Sequence, residues 1–412
     1  MDWTLFKSML SMDSTSGKER EMALWLNEHL EAPSKQLMEV GDGTLNLLLT
    51  WGQPTVVFCT HMDTVPPYIA PQFPEGILSG ETPFASLTPA PPTASWTFPA
   101  GTSSAVNIQQ SAGPSPYPCA GVHMSSGECT LRDGGVIYGR GACDAKGQIF
   151  AMYTACKELE AQGCGGFGLL LLAGEETGSW GAKAFSKTDF KAPYLIVGEP
   201  TENKMVSASK GTLSYDLKFT GEAFHSGYPQ FGVSAIDLFN QFYNKLKAQD
   251  FGLDPVLGET TWNIGLLHSD NPQNILSPEL TCRLYFRTTF VSHEKVQAWM
   301  ANAPKMVLPD ASLRDPVRAN ASGSTTLSAL AIQARGGDTP ARYLTLDGFP
   351  SGPVAFGSDA PHLTGFTHKA ICGPGSITVA HRDNEQVLVC DLETAVAQYK
   401  EMCREMQNAY NQ

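Results

Sequence analysis

The sequence predicts an α/β protein, a mixed sheet flanked by helices, with a smaller α+β domain inserted into it. Three observations carry this reading. The short continuous apolar runs LNLLLTW, TVVFC, GLLLL and APYLIV have the pattern of strands buried on both faces. Helical periodicity separates several of them, as in a sheet covered by helices. After about Met205 the pattern changes, and SASKGTLSYDLKFTG alternates as a half-exposed strand should.

Taken in order, Ser16-Gly-Lys-Glu19 reads as a capping box opening the amphipathic helix EREMALWLNEHLEA. Strands follow at LNLLLTW and TVVFC. A helix is expected from about Gly147, with Ile149, Met152, Tyr153 and Cys156 at three-to-four spacing. GLLLLAGEE and APYLIVGEP are apolar runs that each end in acid. The second pattern then runs through the helix VSAIDLFNQFYNKLKA, the strands TTWNIGLLHS and ELTCRLYFRTTF, and the helix SHEKVQAWMANA. That β-α-β-β-α order suits a small sandwich. The first pattern resumes near HKAICG and closes with a helix from about Asp391. The expected organisation is therefore residues 1–205 and 316–412 as one domain, with 206–315 inserted between them as a second.

One segment fits neither pattern. Residues 82–127 contain no Asp, Glu, Lys or Arg and are crowded with Pro, Ser, Thr, Ala and Gly. A structureless loop of that length is uncommon in a compact domain. It is read as a lid, an inert insertion or a translated segment from an imperfect gene model.

A chain of 412 residues accommodates two domains with a large core. Its net charge of −13 argues against nucleic-acid and anionic-membrane partners. No run reaches the roughly 18 apolar residues of a membrane span. The start of the chain lacks the basic and apolar regions of a secretory signal. Ten cysteines occur without C-x-x-C pairs, and Cys59, Cys156 and Cys282 sit where a buried thiol is the default. A reducing, cytoplasmic location is the expectation.

The chemistry gathers at strand ends. In FCTHMDTVPP a strand leaving the core ends in His61, and Asp63 follows two places on. The pair could simply close a strand end by hydrogen bonding. It could also be a metal ligand with the carboxylate that orients it. Other strand ends supply Glu175-Glu176 and Glu199, the Gly-rich turn GRGACDAKG supplies Asp144, and VAHRDNE supplies His381. Two His, two Glu and a bridging Asp can hold two divalent ions, with room for a water between them. Of two adjacent acids, one can ligate while its neighbour remains a general base. GRGACD lacks the third glycine and ribose acid of a dinucleotide fingerprint.

The set HMDTVPP, GRGACDAKG, LLLAGEETGSWGA, IVGEP, FHSGYPQFGVSAI and GPGSITVAHRDNEQV, in this order, resembles the M20 metallopeptidase family. That family includes acetylornithine deacetylase, succinyl-diaminopimelate desuccinylase, aminoacylase and glutamate carboxypeptidase. The resemblance implies a zinc-hydrolase core with an inserted ferredoxin-like dimerisation or lid domain, and a homodimer. It implies that His61 and Glu199 ligate one metal, Glu176 and His381 the other, and that Asp144 bridges. Asp63 would orient His61, and Glu175 would be the general base. His225 would stabilise the oxyanion, often from a partner subunit, while Arg287 and Asn274 would bind the substrate carboxylate. Two departures stand out: Phe286 precedes Arg287 where the family often has Asp, and the interval from His61 to Asp144 is longer than the family's. Asp359, in FGSDA, resembles a substrate-side segment, or is a turn residue.

The implied cofactors are two divalent ions, zinc with cobalt or manganese as substitutes. The implied reaction is amide hydrolysis in an N-acyl amino acid, nearest to acetylornithine deacetylase. A di-, amino- or carboxypeptidase acting on a short peptide is the second reading. The third is a non-catalytic binding protein that kept the fold.

Overall fold

The computed structural model describes residues 1–41, 43–78, 135–307 and 329–412. The uncharged stretch 82–127 lies outside the described residues. In chain order the elements are α1 (Trp3–Leu10), α2 (Glu19–His29), β1 (Ser34–Gly41), β2 (Thr44–Trp51), β3 (Val56–His61), β4 (Val136–Tyr138), α3 (Lys146–Ala161), β5 (Phe167–Leu172), α4 (Trp180–Phe185), β6 (Ala192–Val197), β7 (Met205–Ser209), β8 (Gly211–Thr220), α5 (Ala235–Lys247), β9 (Thr261–His268), β10 (Glu279–Thr288), α6 (His293–Met306), β11 (Leu330–Gly336), β12 (Ala341–Arg342), β13 (Ser351–Val354), β14 (Phe366–Ile371), β15 (Gln386–Leu388) and α7 (Val389–Asn411).

These elements form two compact units. The first comprises residues 1–206, 344–351 and 358–412; the second comprises 207–343 and 352–357. The first unit is built on a six-stranded sheet of order β1-β2-β5-β3-β6-β14. Strands β3, β5, β6 and β14 are mutually parallel, while β2 runs antiparallel to both β1 and β5. The sheet is therefore mixed. Every residue of β3 and β5 is buried, as their unbroken apolar runs require. Helices α3 and α7 pack together, and Tyr399 of α7 meets Phe58 of β3 edge-on at 5.8 Å. On α1, Phe6 stacks on Phe150 of α3 with centroids 4.6 Å apart.

The second unit carries a four-stranded antiparallel sheet of order β11-β8-β10-β9 with its own core, in which Phe219, Phe242, Leu284 and Phe286 are buried. Helix α5 starts where Ser234 accepts a hydrogen bond from the Asp237 amide. Asp237 in its first turn and Lys245 and Lys247 in its last complement the helix dipole. The unit runs past the expected boundary at 315, because β11 pairs with β8. No apolar run marked β11, whose burial is mostly shallow.

Two local expectations change. Helix α2 begins at Glu19, but Lys18 is its N-cap and no side chain caps it. Ser16 instead donates its hydroxyl to Asp63, and Glu19 accepts from the Gly17 amide. The alternating stretch after Met205 holds two strands, β7 and β8, parted at Lys210. Cys59, Cys156 and Cys282 are buried thiols, as their apolar surroundings imply. Among the described residues, no helix is long and apolar enough to cross a membrane.

Candidate metal centre

The carboxyl ends of β3, β5 and β6 deliver His61, Glu175-Glu176 and Glu199 within the first unit. This is where ligands collect in sheets with parallel strands. His61, the last residue of β3, is 2% exposed. Its Nδ1 lies 2.9 Å from the backbone carbonyl of Asp63, and its Nε2 lies 3.0 Å from Asp144 Oδ1.

Asp144 arrives on the turn that leads into α3. That turn closes with a hydrogen bond from the Gly147 amide to the Gly141 carbonyl. Gly147 is required there: a Cβ would fall 2.2 Å from the Ala142 carbonyl oxygen. The other oxygen of Asp144, Oδ2, lies 3.3 Å from His381 Nε2, which is also 2.9 Å from Glu176 Oε1. One carboxylate thus faces a different imidazole with each oxygen. His381 holds a left-handed backbone, φ +63°, a costly conformation for a residue with a side chain.

The loop carrying the two glutamates is fixed at its base by Asn46 on β2. The Asn46 side chain accepts from the Ala173 amide at 3.0 Å and donates to the Gly181 carbonyl at 2.9 Å. Asp63 fixes the crest. Its fully buried carboxylate accepts from the Glu175 amide at 3.0 Å, the Glu176 amide at 3.2 Å and the Ser16 hydroxyl at 2.8 Å. Its nearest oxygen is 3.4 Å from His61 Nδ1. Asp63 therefore meets His61 chiefly through its backbone carbonyl and spends its carboxylate on the glutamate pair.

Proton affinities reflect the crowding. Burial opposes charge on His61, yet hydrogen bonds to Asp144 and Asp63 carry its pKa well above the usual imidazole value. Hydrogen bonds to Asp144 and Glu176 push His381 up to about 10. Burial pushes Glu175 and Glu199 well above the carboxylate range, and neighbouring acids add to it. For Asp144 burial acts in the same direction, but the two imidazoles outweigh it and hold the group low.

These residues fit a metal. Because His61 Nδ1 donates to the Asp63 carbonyl, the neutral ring turns its Nε2 lone pair toward Asp144 Oδ1. That contact, 3.0 Å long, can be filled by a proton on Nε2 or by a metal ion that both atoms ligate. Candidate ligand atoms of His61, Asp144 and Glu176 all lie within 4.8 Å of one another, and imidazole with carboxylate suits a divalent ion such as zinc.

Of the remaining sequence candidates, Asp359 is also in the first unit. It is 2% exposed, burial pushes it up to about 6, and neither carboxylate oxygen forms a regular hydrogen bond among the described residues. Three others belong to the second unit. His225 is exposed, and its Nδ1 accepts from the Gly227 amide at 3.0 Å, which leaves Nε2 as the donor in the neutral ring. His225 bridges to Ile275, and the Asn274 carbonyl accepts from the Ser226 amide at 2.9 Å, so these two predicted residues are neighbours. Arg287, on β10, lies over the ring of Tyr285 at 5.0 Å.

The mixed sheet gathers imidazoles and buried carboxylates at its strand ends, a donor set that suits a divalent metal ion. The sequence model of Peptidase family M20/M25/M40 matches residues 122–405, and the chain belongs to that family. A protein of Aspergillus clavatus named a probable carboxypeptidase is 28% identical, over 96% of this chain and 80% of its own. Another, from Aspergillus oryzae, is 32% identical over 68% of each chain. The crystal structure of a tripeptidase from Staphylococcus aureus shares the fold, with a TM-score of 0.67 at 17% identity over 98% of this chain and 97% of its own.

Proposed function

We propose that this chain hydrolyses an amide bond whose amine side is an amino acid with a free α-carboxylate. The observation that carries the reading is Asp144, which turns one oxygen to His61 and the other to His381. That geometry supports Asp144 as the bridge between two divalent ions, zinc first, with His61 and Glu199 for one and Glu176 and His381 for the other. Such an ion pair, when bound, supplies Lewis acidity and lowers the pKa of water.

The chain's own groups then have distinct tasks. Glu175, beside the ligand Glu176, takes the proton of the attacking water and passes it to the leaving amine. Asp63 holds the backbone of both glutamates and the ring of His61. His225 Nε2 donates to the developing oxyanion. Arg287 and Asn274 receive the substrate carboxylate, where a planar guanidinium suits a bidentate partner.

Two substrate types share this chemistry. One is an N-acyl amino acid, as for an acetylornithine deacetylase. The other is a short peptide that loses its C-terminal residue, which is the reading that the names of the Aspergillus relatives support. We read the second unit as a dimerisation or lid domain. Its edge strand β9 exposes Leu266 and Leu267 at 70% and 54%, which supports pairing between copies in a homodimer.

The test is metal analysis of the purified protein, followed by a screen of N-acyl amino acids against peptides with free and amidated C-termini. About two ions per chain and hydrolysis only where the α-carboxylate is free are expected. Equal rates on amidated substrates would refute the specificity. Bound metal without hydrolysis of any amide would favour a binding protein.

A further inference from the structure

The mechanism makes no use of the most elaborately bonded carboxylate in the first unit. Glu385 follows His381 by four residues and is 1% exposed. Its Oε1 accepts three backbone amides: Gly141 at 2.9 Å, Cys143 at 3.1 Å and Asp144 at 3.0 Å. Convergent amides of this kind form a nest that attracts an anion. Here the chain supplies the anion itself, and the last of the three amides belongs to Asp144. The Glu385 backbone carbonyl also accepts from the Gly139 amide at 3.0 Å.

The other oxygen, Oε2, pairs with Arg140 at 2.5 Å. Arg140 is equally buried, at 1% exposed, and its guanidinium reaches two further backbone carbonyls. Nε donates to Pro67 at 3.1 Å, beyond the His61 strand end, and NH1 donates to Arg382 at 3.4 Å, directly after His381. The turn at Arg382 is closed by the Glu385 amide at 3.2 Å. One ion pair therefore touches the segments that carry His61, Asp144 and His381, and it abuts the left-handed residue His381.

A buried ion pair is an inefficient source of stability, since apolar residues of similar volume often do as well. What it offers over an apolar pair is direction: five hydrogen bonds to named backbone groups that an apolar pair would not orient. We propose that Arg140 and Glu385 are positioning residues that lock the Asp144 turn to the His381 turn, and so set the affinity of the site for its metal ions. This rests on the metal reading above.

The test is a titration of metal-free protein with Zn²⁺ against a chromophoric chelator, with visible absorption of the Co²⁺-loaded protein as a second readout. Groups that orient ligands typically change metal affinity by about 10–100-fold. Glu385→Gln keeps an acceptor for the amides but loses the charge that engages Arg140. It should bind Zn²⁺ about tenfold more weakly or worse, with an altered Co²⁺ spectrum. The double variant Arg140→Met/Glu385→Gln removes the unpaired buried charge, so it should melt nearer the wild type than Glu385→Gln does. Its metal affinity should stay low, because the ties to Pro67 and Arg382 are gone. A role in stability alone would instead leave affinity and spectrum unchanged, however far the melting point fell, and that result overturns the proposal. If Glu385→Gln does not fold, Arg140→Lys is read in the same assays: lysine keeps the charge but lacks the planar fork. Wild-type affinity in that variant would equally overturn the clamp. A folded wild type that binds no metal would refute the metal reading itself, and the clamp with it.

Discussion

Asp63→Asn changes one oxygen of a buried carboxylate into an amide nitrogen, and the consequence can be worked bond by bond. The carboxylate accepts from the Glu175 amide, the Glu176 amide and the Ser16 hydroxyl. If the new nitrogen takes the Oδ2 position, the Ser16 hydroxyl can reverse and accept from it. The Glu176 N–H cannot reverse, and it is left facing another donor. A stranded buried N–H costs about 1–3 kcal/mol, and the surviving bond to Glu175 loses roughly 1 kcal/mol as its acceptor becomes neutral. Placing the nitrogen at Oδ1 is worse, because both the Glu175 amide and His61 Nδ1 lie on that side. The expected loss is about 2–4 kcal/mol. Urea unfolding of the metal-free protein, followed at the first unit, reads it directly. The pH dependence has a definite sign. Burial raises the pKa of Asp63, but the His61 ring beside it and the hydrogen bonds it accepts hold the folded value below the unfolded one. Its contribution is therefore complete above about pH 4 and is lost as pH falls through the folded pKa. The difference between wild type and variant should be flat through neutral pH and shrink in acid. A loss below about 1 kcal/mol at neutral pH would refute this count of the hydrogen bonds.

Three further outcomes are expected. Glu175→Gln should retain metal by atomic absorption while turnover falls about 10²–10⁴-fold; near-normal turnover would remove Glu175 as the base. His225→Ala should lower kcat about 10²–10³-fold with metal content unchanged, and mixing it with Glu175→Gln subunits should restore activity if the histidine crosses a dimer interface. Gly147→Ala should cost about 1–3 kcal/mol by forcing the Ala142 carbonyl away, and chelator competition should show metal loss as Asp144 moves; unchanged metal binding would mean that the turn yields without disturbing Asp144.

The acids and imidazoles at the strand ends were legible because apolar runs announce buried strands, and polar residues directly after them have few places to go. His61 and Glu176 could be named from such local context, Asp144 from its Gly-rich turn and His381 from the motif around it, with their roles as ligands implied by the family resemblance; the structure brings the four into contact. Partnerships across the chain were not legible in that way. Asp63 was expected to orient His61 with its carboxylate, but sequence spacing does not reveal that the backbone carbonyl reaches the ring first. Ser16 looked like a helix cap because its spacing to Glu19 is right; a buried carboxylate 47 positions away competes for the same hydroxyl. Glu385 lay inside a quoted motif with no role, since its partners are more than 240 residues distant. Strand β11 escaped because it is short and mostly exposed, with pairing rather than periodicity to define it.

The Asn46 side chain has one more consequence. By bonding Ala173 and Gly181 it mimics a peptide unit of a neighbouring strand and closes residues 173–181 into a ring, with the Gly181 amide donating back to Ala173 at 2.8 Å. Glu175 and Glu176 sit on the arc that Asp63 also grips, whereas Trp180 rides on the far arc, 57% exposed. The two arcs are tied together, because the Gly178 and Ser179 amides donate to the Glu175 carbonyl and the Trp180 amide donates to the Gly174 carbonyl. A closed circuit of this kind transmits a backbone change at any point to the two carboxylates, so the freedom to vary lies in outward side chains such as that of Trp180 rather than in the chain that carries it.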